Sequence, residues 1–290
     1  SRWPLVVFSH GSGAFRASYI YFTEFLASHG FVVMACDHAG SARYTQVDGE
    51  VVTPGGARSE RAQMEADRPA DLLLMIDTME QMAAGADSRF AGRVDASRCG
   101  VTGMSFGGFA TAAVLERADP RVKAAILQCP SLAMSGDGTL ATSRRANRET
   151  PAMMMIGTED TVIGEAGNEA CREYYRSHLG PRALVEIRKG GHVSFTSCEL
   201  YNSEYGNGIG PSASLTSPGE TYTPLPIARQ HDIINKYALA FLNAHLRPGE
   251  EAGSAGAEYL KPNSDFHNHF GEDIVYESAP YGLEAWEPRA

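Results

Sequence analysis

The stretch Arg98-Cys99-Gly100-Val101-Thr102-Gly103-Met104-Ser105-Phe106-Gly107-Gly108-Phe109-Ala110-Thr111-Ala112-Ala113-Val114-Leu115 decides the architecture. Arg98–Met104 is an apolar run of strand length, and Phe106–Arg117 has helical spacing. Between them Gly103-Met104-Ser105-Phe106-Gly107 matches G-x-S-x-G, in the strand-to-helix context that motif requires. A serine held proud on so sharp a turn needs small neighbours, which Gly103 and Gly107 supply. The helix that follows points its unpaired N–H groups, and the positive end of its dipole, at any negative charge developing beside the serine.

Working outward, strand-length runs alternate with helical patterns. Leu5–Ser9, Phe31–Cys36, Arg98–Met104, Val122–Cys129, Ala152–Ile156 and Leu184–Arg188 read as strands. Ser18–Ser28, Arg61 to about Ala84, Phe106–Arg117, Gly167–Ser177 and Leu225–Leu246 read as helices, the second containing Pro69, a residue able to kink or restart it. Such alternation predicts an α/β protein with a mostly parallel central sheet and helices on both faces. Residues 1–247 are expected as a single domain and 248–290 as a C-terminal extension containing one strand-like run, Asp273–Tyr276. The polar, Gly-rich loop 199–224 leaves the last strand's loop and is expected near the site. The chain opens one step before a core strand and without an initiator Met, so a processed or trimmed chain is expected.

Composition narrows the partners. Of 290 residues, 43% are hydrophobic and 21% charged, enough for a full core. The net charge of −10 argues against a nucleic-acid partner, which needs clustered basic charge. No apolar run reaches the ~18 residues of an integral membrane segment. Cysteines 36, 99, 129, 171 and 198 show no zinc-finger spacing. Cys36, Cys99 and Cys129 read as small core hydrophobes. Cys171 and Cys198 either form a disulfide or stay buried thiols; a bridge would favour a secreted or periplasmic setting.

A serine nucleophile needs a base, and the base an orienting carboxylate. His192, in Gly190-Gly191-His192, follows the strand Leu184–Arg188, where parallel sheets hold their sites. Of the other histidines after Ser105, His178 reads as a helix-end residue and His231 and His245 as helix surface or packing. Asp160 leaves the strand Ala152–Ile156 ahead of His192, with Glu159 its nearest competitor. His10-Gly11-Ser12-Gly13 follows the first strand, so the Ser12 N–H is the expected partner of the Phe106 N–H around an oxyanion. His10 is expected to pin that loop. The D-x-H-x-H of Asp265, His267 and His269 lacks an evident fourth metal ligand and reads as an ordinary loop. Met104, Phe106 and Met134 read either as core or as the wall of an apolar pocket.

Phe8-Ser9-His10-Gly11-Ser12-Gly13-Ala14-Phe15-Arg16, Leu26-Ala27-Ser28-His29-Gly30-Phe31, the Ser105 motif and His192 with Ser194-Phe195 together resemble the α/β-hydrolases of the dienelactone-hydrolase and platelet-activating-factor acetylhydrolase group. The resemblance covers roughly residues 4–196. It implies an α/β-hydrolase fold and a serine carboxylic-ester hydrolase, with Ser105 as nucleophile, His192 as base and Ser12 and Phe106 as oxyanion donors. The acetylhydrolase position for the acid is Gln128 here. Asp160 instead resembles the acid of cutinases and bacterial polyester hydrolases, so phospholipid acetyl esters and polyesters are both implied, with thioesterase, acyltransferase or inactive binding-protein readings behind them. The substrate is expected to be a small-molecule or polymeric ester, with no cofactor and no metal; the substrate-binding residues and the oligomeric state are not legible.

Overall fold

A computed structural model describes residues 2–55, 60–132, 149–197 and 212–279. Its centre is a seven-stranded sheet in the order β11-β8-β7-β6-β5-β1-β2. The strands are β1 (Trp3–Ser9), β2 (Val32–Ala35), β5 (Val94–Met104), β6 (Val122–Gln128), β7 (Ala152–Gly157), β8 (Arg182–Ile187) and β11 (Ile274–Ala279). Every pairing is parallel except β8 with β11. Two small hairpins lie outside the sheet, β3 (Thr45–Val47) with β4 (Glu50–Val52) and β9 (Ser212–Ala213) with β10 (Thr221–Tyr222).

The helices are α1 (Ile20–Ser28), α2 (Arg61–Gln81), α3 (Phe106–Glu116), α4 (Gly164–Ser177), α5 (Ile227–Leu246), α6 (Glu251–Tyr259) and the single turn α7 (Asp265–Asn268). α1 packs on α5, and α2 on α3, sandwiching the sheet. Covered on both faces, the central strands carry continuous apolar runs: all of β7 and nearly all of β6 are buried. Mostly parallel strands between two helical layers form an α/β-hydrolase fold.

Three points that the sequence left open are decided. Pro69 neither kinks nor restarts its helix: α2 runs through it, the proline buried among Arg68, Leu72 and Met75. The helix then ends in a wide turn, 82–86, where Gly85 takes φ 126°. The strand-like run near Asp273 is the antiparallel edge strand β11, so part of the C-terminal segment is built into the sheet. Of the two readings for Cys171 the structure gives the buried free thiol, its S–H donating to Pro130 O at 3.7 Å. Cys198 itself, Met134 and residues 199–211 of the long loop lie outside the described residues. Among the described residues, no helix is long and apolar enough to cross a membrane.

Candidate active site

Ser105 occupies the one-residue turn between β5 and α3 with φ 57° and ψ −117°, a conformation an L-residue adopts only under constraint. The constraint is visible. Its N–H donates to Gln128 O (2.8 Å), and its carbonyl accepts from Phe109 and Ser131 N–H groups, both at 3.1 Å. The flanking glycines are obligatory. A Cβ on Gly103 would lie 2.4 Å from Gly107 O, and one on Gly107 would lie 2.0 Å from Ser9 O. The elbow is thus pressed against the end of β1.

That contact brings the His10–Gly13 loop to the serine: a Cβ on Gly11 would lie 3.4 Å from Ser105 Cβ. Within the loop, Gly11 N–H donates to Tyr19 Oη (3.0 Å) and Gly13 N–H to Ser41 O (3.1 Å). Ser12 N–H, between them, has no acceptor among the described residues, and neither has Phe106 N–H at the start of α3. Two unspent donors therefore lie on the two segments that meet at Ser105. His10 pins the loop, its Nδ1 bonded to Gly11 O at 2.7 Å and its Nε2 accepting His38 N–H at 3.1 Å.

The structure brings Asp160 and His192 together. His192 Nδ1 is 2.6 Å from Asp160 Oδ2. The other carboxylate oxygen, Oδ1, accepts the Val162 and Ile163 N–H groups, both at 3.0 Å. Burial would raise the pKa of this fully buried acid, but the bonds from His192 and Ile163 outweigh it and hold the carboxyl below its ordinary value. The two loops are locked backbone to backbone: Glu159 N–H donates to Gly190 O (2.9 Å), and a Cβ on Gly157 would lie 2.4 Å from the same oxygen.

Glu159 points elsewhere. It accepts from Ser214 Oγ (2.9 Å), Leu215 N–H and Thr216 Oγ1 (both 2.5 Å), tying the β9–β10 hairpin beside the acid loop. Ser105 Oγ is bonded to Ser131 Oγ at 3.3 Å, and among the described residues no hydrogen bond joins it to His192. Loose nucleophile–base contacts are common before substrate is present.

Two neighbours were not legible in the sequence. Ser131 touches the nucleophile, and the buried Cys129 thiol lies beside the Asp160 carboxylate. Burial, and then the Asp160 charge, push the Cys129 pKa well up, so the thiol stays protonated. Cys129 Sγ lies with the Asp160 and His192 ligand atoms within 4.8 Å of one another, as do Cys36 Sγ, His38 Nδ1 and the Asp71 carboxylate. Both groups are already hydrogen-bonded: His38 joins Ser9 Oγ (2.8 Å) to Asp71 Oδ2 (2.7 Å). The D-x-H-x-H segment is spent on packing, with His267 between Tyr237 Oη (2.6 Å) and Lys261 O (2.9 Å). Met104 and Phe106 are buried core residues. Gln128 is buried too, its amide without a partner among the described residues.

Comparisons with known proteins bear on the fold and the class of enzyme. The family model of platelet-activating factor acetylhydrolase, isoform II, matches residues 1–64, and that of the prolyl oligopeptidase family matches residues 76–153. Platelet-activating factor acetylhydrolase of Cavia porcellus is 24% identical over 270 residues, covering 84% of this chain and 58% of its own. That of Canis lupus familiaris is 28% identical over 273 residues, covering 84% and 57%. This chain therefore spans less than two thirds of those relatives. A ferulic acid esterase structure from Streptomyces cinnamoneus superposes with a TM-score of 0.68 at 24% identity, covering 95% of this chain and 74% of its own. The chain has the α/β-hydrolase fold. The likeness to acetylhydrolases seen in its motifs extends to most of its length.

Proposed function

We propose that the protein is a serine carboxylic-ester hydrolase acting through an acyl-enzyme. What supports this reading is the strained Ser105 at the end of β5, the unspent Ser12 and Phe106 N–H groups on the segments that meet there, and the hydrogen-bonded Asp160–His192 pair just beyond β7 and β8, at the same end of the parallel sheet. In this reading Ser105 Oγ attacks the ester carbonyl while His192 Nε2 takes its proton. Asp160 holds the imidazole through Nδ1 and stabilises its cation. The Ser12 and Phe106 N–H groups bind the oxyanion, a contribution of about 3–4 kcal/mol per donor in comparable sites. The alcohol leaves with the proton from His192, and water, activated by the same base, releases the acid. No step requires a metal or an organic cofactor.

The similarity to acetylhydrolases favours a short acyl group, and Val162 and Val193 add exposed apolar surface next to the acid and the base. A phospholipid with a short acyl chain is the preferred substrate class, with polyester the second. The test is hydrolysis of p-nitrophenyl esters of rising chain length, beside such a phospholipid, a polyester film and an anilide, with fluorophosphonate labelling of Ser105. Ester turnover lost on labelling supports the reading. Hydrolysis of the anilide alone would move the protein to peptidase chemistry, and turnover unaffected by the label would refute the serine mechanism.

A further inference from the structure

Arg68, on α2, is a guanidinium buried to 1% exposure, and among the described residues no carboxylate pairs with it. Burial draws its pKa down to about 10, so it remains a cation at neutral pH. An apolar side chain of similar size would cost the fold less than an unpaired buried charge. Its contacts are concentrated in one place. Nη1 donates to His10 O, and Nη2 to Gly11 O (3.5 Å) and Ser41 Oγ (2.5 Å). Ser41 O in turn receives the Gly13 N–H. The face of the guanidinium lies 4.6 Å from the centroid of the Phe106 ring. One side chain thus touches both segments that carry the unspent donors.

The Gly11 carbonyl belongs to the same peptide unit as the Ser12 N–H. In a planar trans peptide these two groups point in opposite directions, so a clamp on the oxygen aims the N–H. Two donors clamp that oxygen, Arg68 Nη2 and His10 Nδ1. The His10 tautomer follows from its bonds: Nε2 accepts the His38 N–H, so the proton sits on Nδ1. Burial first, and the Arg68 charge second, hold the His10 pKa near 2, which keeps the ring neutral and donating.

We propose that Arg68 is a positioning residue for the oxyanion hole, aiming the Ser12 N–H through the Gly11 carbonyl and fixing a positive charge behind the Phe106 side of the site. The proposal rests on the esterase reading above. A fixed cation in a dry site stabilises the full negative charge of the tetrahedral intermediate far more than the neutral ester, so its effect falls on kcat and not on KM.

The experiment compares Arg68→Met, Arg68→Gln and Arg68→Lys with wild type on p-nitrophenyl acetate. Sites are counted with a fluorophosphonate, and the affinity of phenylboronic acid, whose serine adduct is tetrahedral and anionic, is measured in parallel. For Met the expectation is a kcat per titrated site lower by roughly 100-fold, KM within about three-fold, and boronate affinity lower by a comparable factor. Lys, which keeps the charge but loses the fork, recovers part of both. Wild-type kcat per site and wild-type boronate affinity would overturn the proposal even if thermal stability fell, because that is the signature of a packing role. Should the Met variant fail to fold, the Gln variant is read by the same two quantities. A wild-type protein that turned over no ester and took no label would sink the esterase reading itself, without reference to any Arg68 variant.

Discussion

Ser105 and His192 act as a unit in the proposed chemistry, so removing either costs about as much as removing both. Ser105→Ala and His192→Ala are each expected to abolish ester turnover with the far-ultraviolet circular dichroism spectrum unchanged; more than trace activity in either variant contradicts the assignment. Asp160→Asn is expected to lower kcat by about 10⁴, because the imidazole loses its orienting charge. It has a second readout. The folded-state carboxyl titrates below the ordinary value of about 3.9, so its contribution to stability is present above that pH and is lost as pH falls through the folded pKa. The Asn variant should therefore lose stability less steeply than wild type below about pH 4, measured by chemical denaturation at a series of pH values; parallel curves would contradict the assigned shift. These residues were legible because each sits at a strand end, where order along the chain fixes position. Cys129, Ser131 and Arg68 were not, since nothing local in the sequence says which buried side chain turns toward the turn at Ser105 or the loop at Gly11.

At the scale of elements, the acid loop and the β9–β10 hairpin are joined through one side chain. Glu159 and Asp160 are adjacent, yet one faces the hairpin and the other the base. The sequence reading favours Asp160 with Glu159 its nearest competitor, and neighbouring residues in a turn have no fixed alternation that would say where Glu159 points. Burial alone would raise the Glu159 pKa, but the donors from Thr216, Leu215 and Ser214 draw it below its ordinary value. Its stabilising contribution is accordingly present above about pH 4.3 and lost as the pH falls through the folded value. Glu159→Gln should leave turnover of a small acetate ester within about two-fold of wild type. Proteolysis or amide exchange of residues 212–222 should accelerate, since bonds to a charged acceptor are worth roughly 1.5–3 kcal/mol each. A large loss of kcat with the hairpin still protected would instead make Glu159 part of the catalytic machinery. The α2 helix shows the opposite limit of legibility. A proline in mid-helix reads as a break, yet packing of α2 against β1, β5 and α3 carries the helix through it.

At the scale of the molecule, the sheet ends differently on its two sides. β2 is short and its residues are half-buried, whereas β8 is covered by β11, which pairs with it along six residues from Ile274 opposite Ile187 to Ala279 opposite Arg182. The base is carried just beyond β8, and Arg188 N–H donates to Asp273 O at 2.8 Å, so the C-terminal segment braces the strand that delivers His192. It also completes a core. The Tyr237 ring of α5 packs against Phe266, His267, Phe270 and Tyr276, all from that segment, and Tyr237 Oη bonds to His267 Nδ1. Composition alone suggested a tail, because Gly, Ala, Pro and Glu dominate its first half and the pairing partner of its short strand lies far back in the chain. Burying Phe270 and Ile274 alone contributes roughly 1.5–3 kcal/mol each, against a total stability of about 5–15 kcal/mol. Deleting 248–290 also strips the α5 face and leaves β8 as an unpaired apolar edge, an invitation to self-association. The deletion variant is therefore expected to unfold at least about 10 °C below the full chain and to bind a hydrophobic dye at temperatures where the full chain does not. Its ester turnover should disappear together with its folded fraction, because the deleted residues brace the strand that carries the base and, among the described residues, form no hydrogen bond with Ser105, Asp160 or His192. A truncated protein with an unchanged melting temperature would show that β11 is an ornament on the sheet. One that kept its melting temperature and lost turnover would place the C-terminal segment in the chemistry itself.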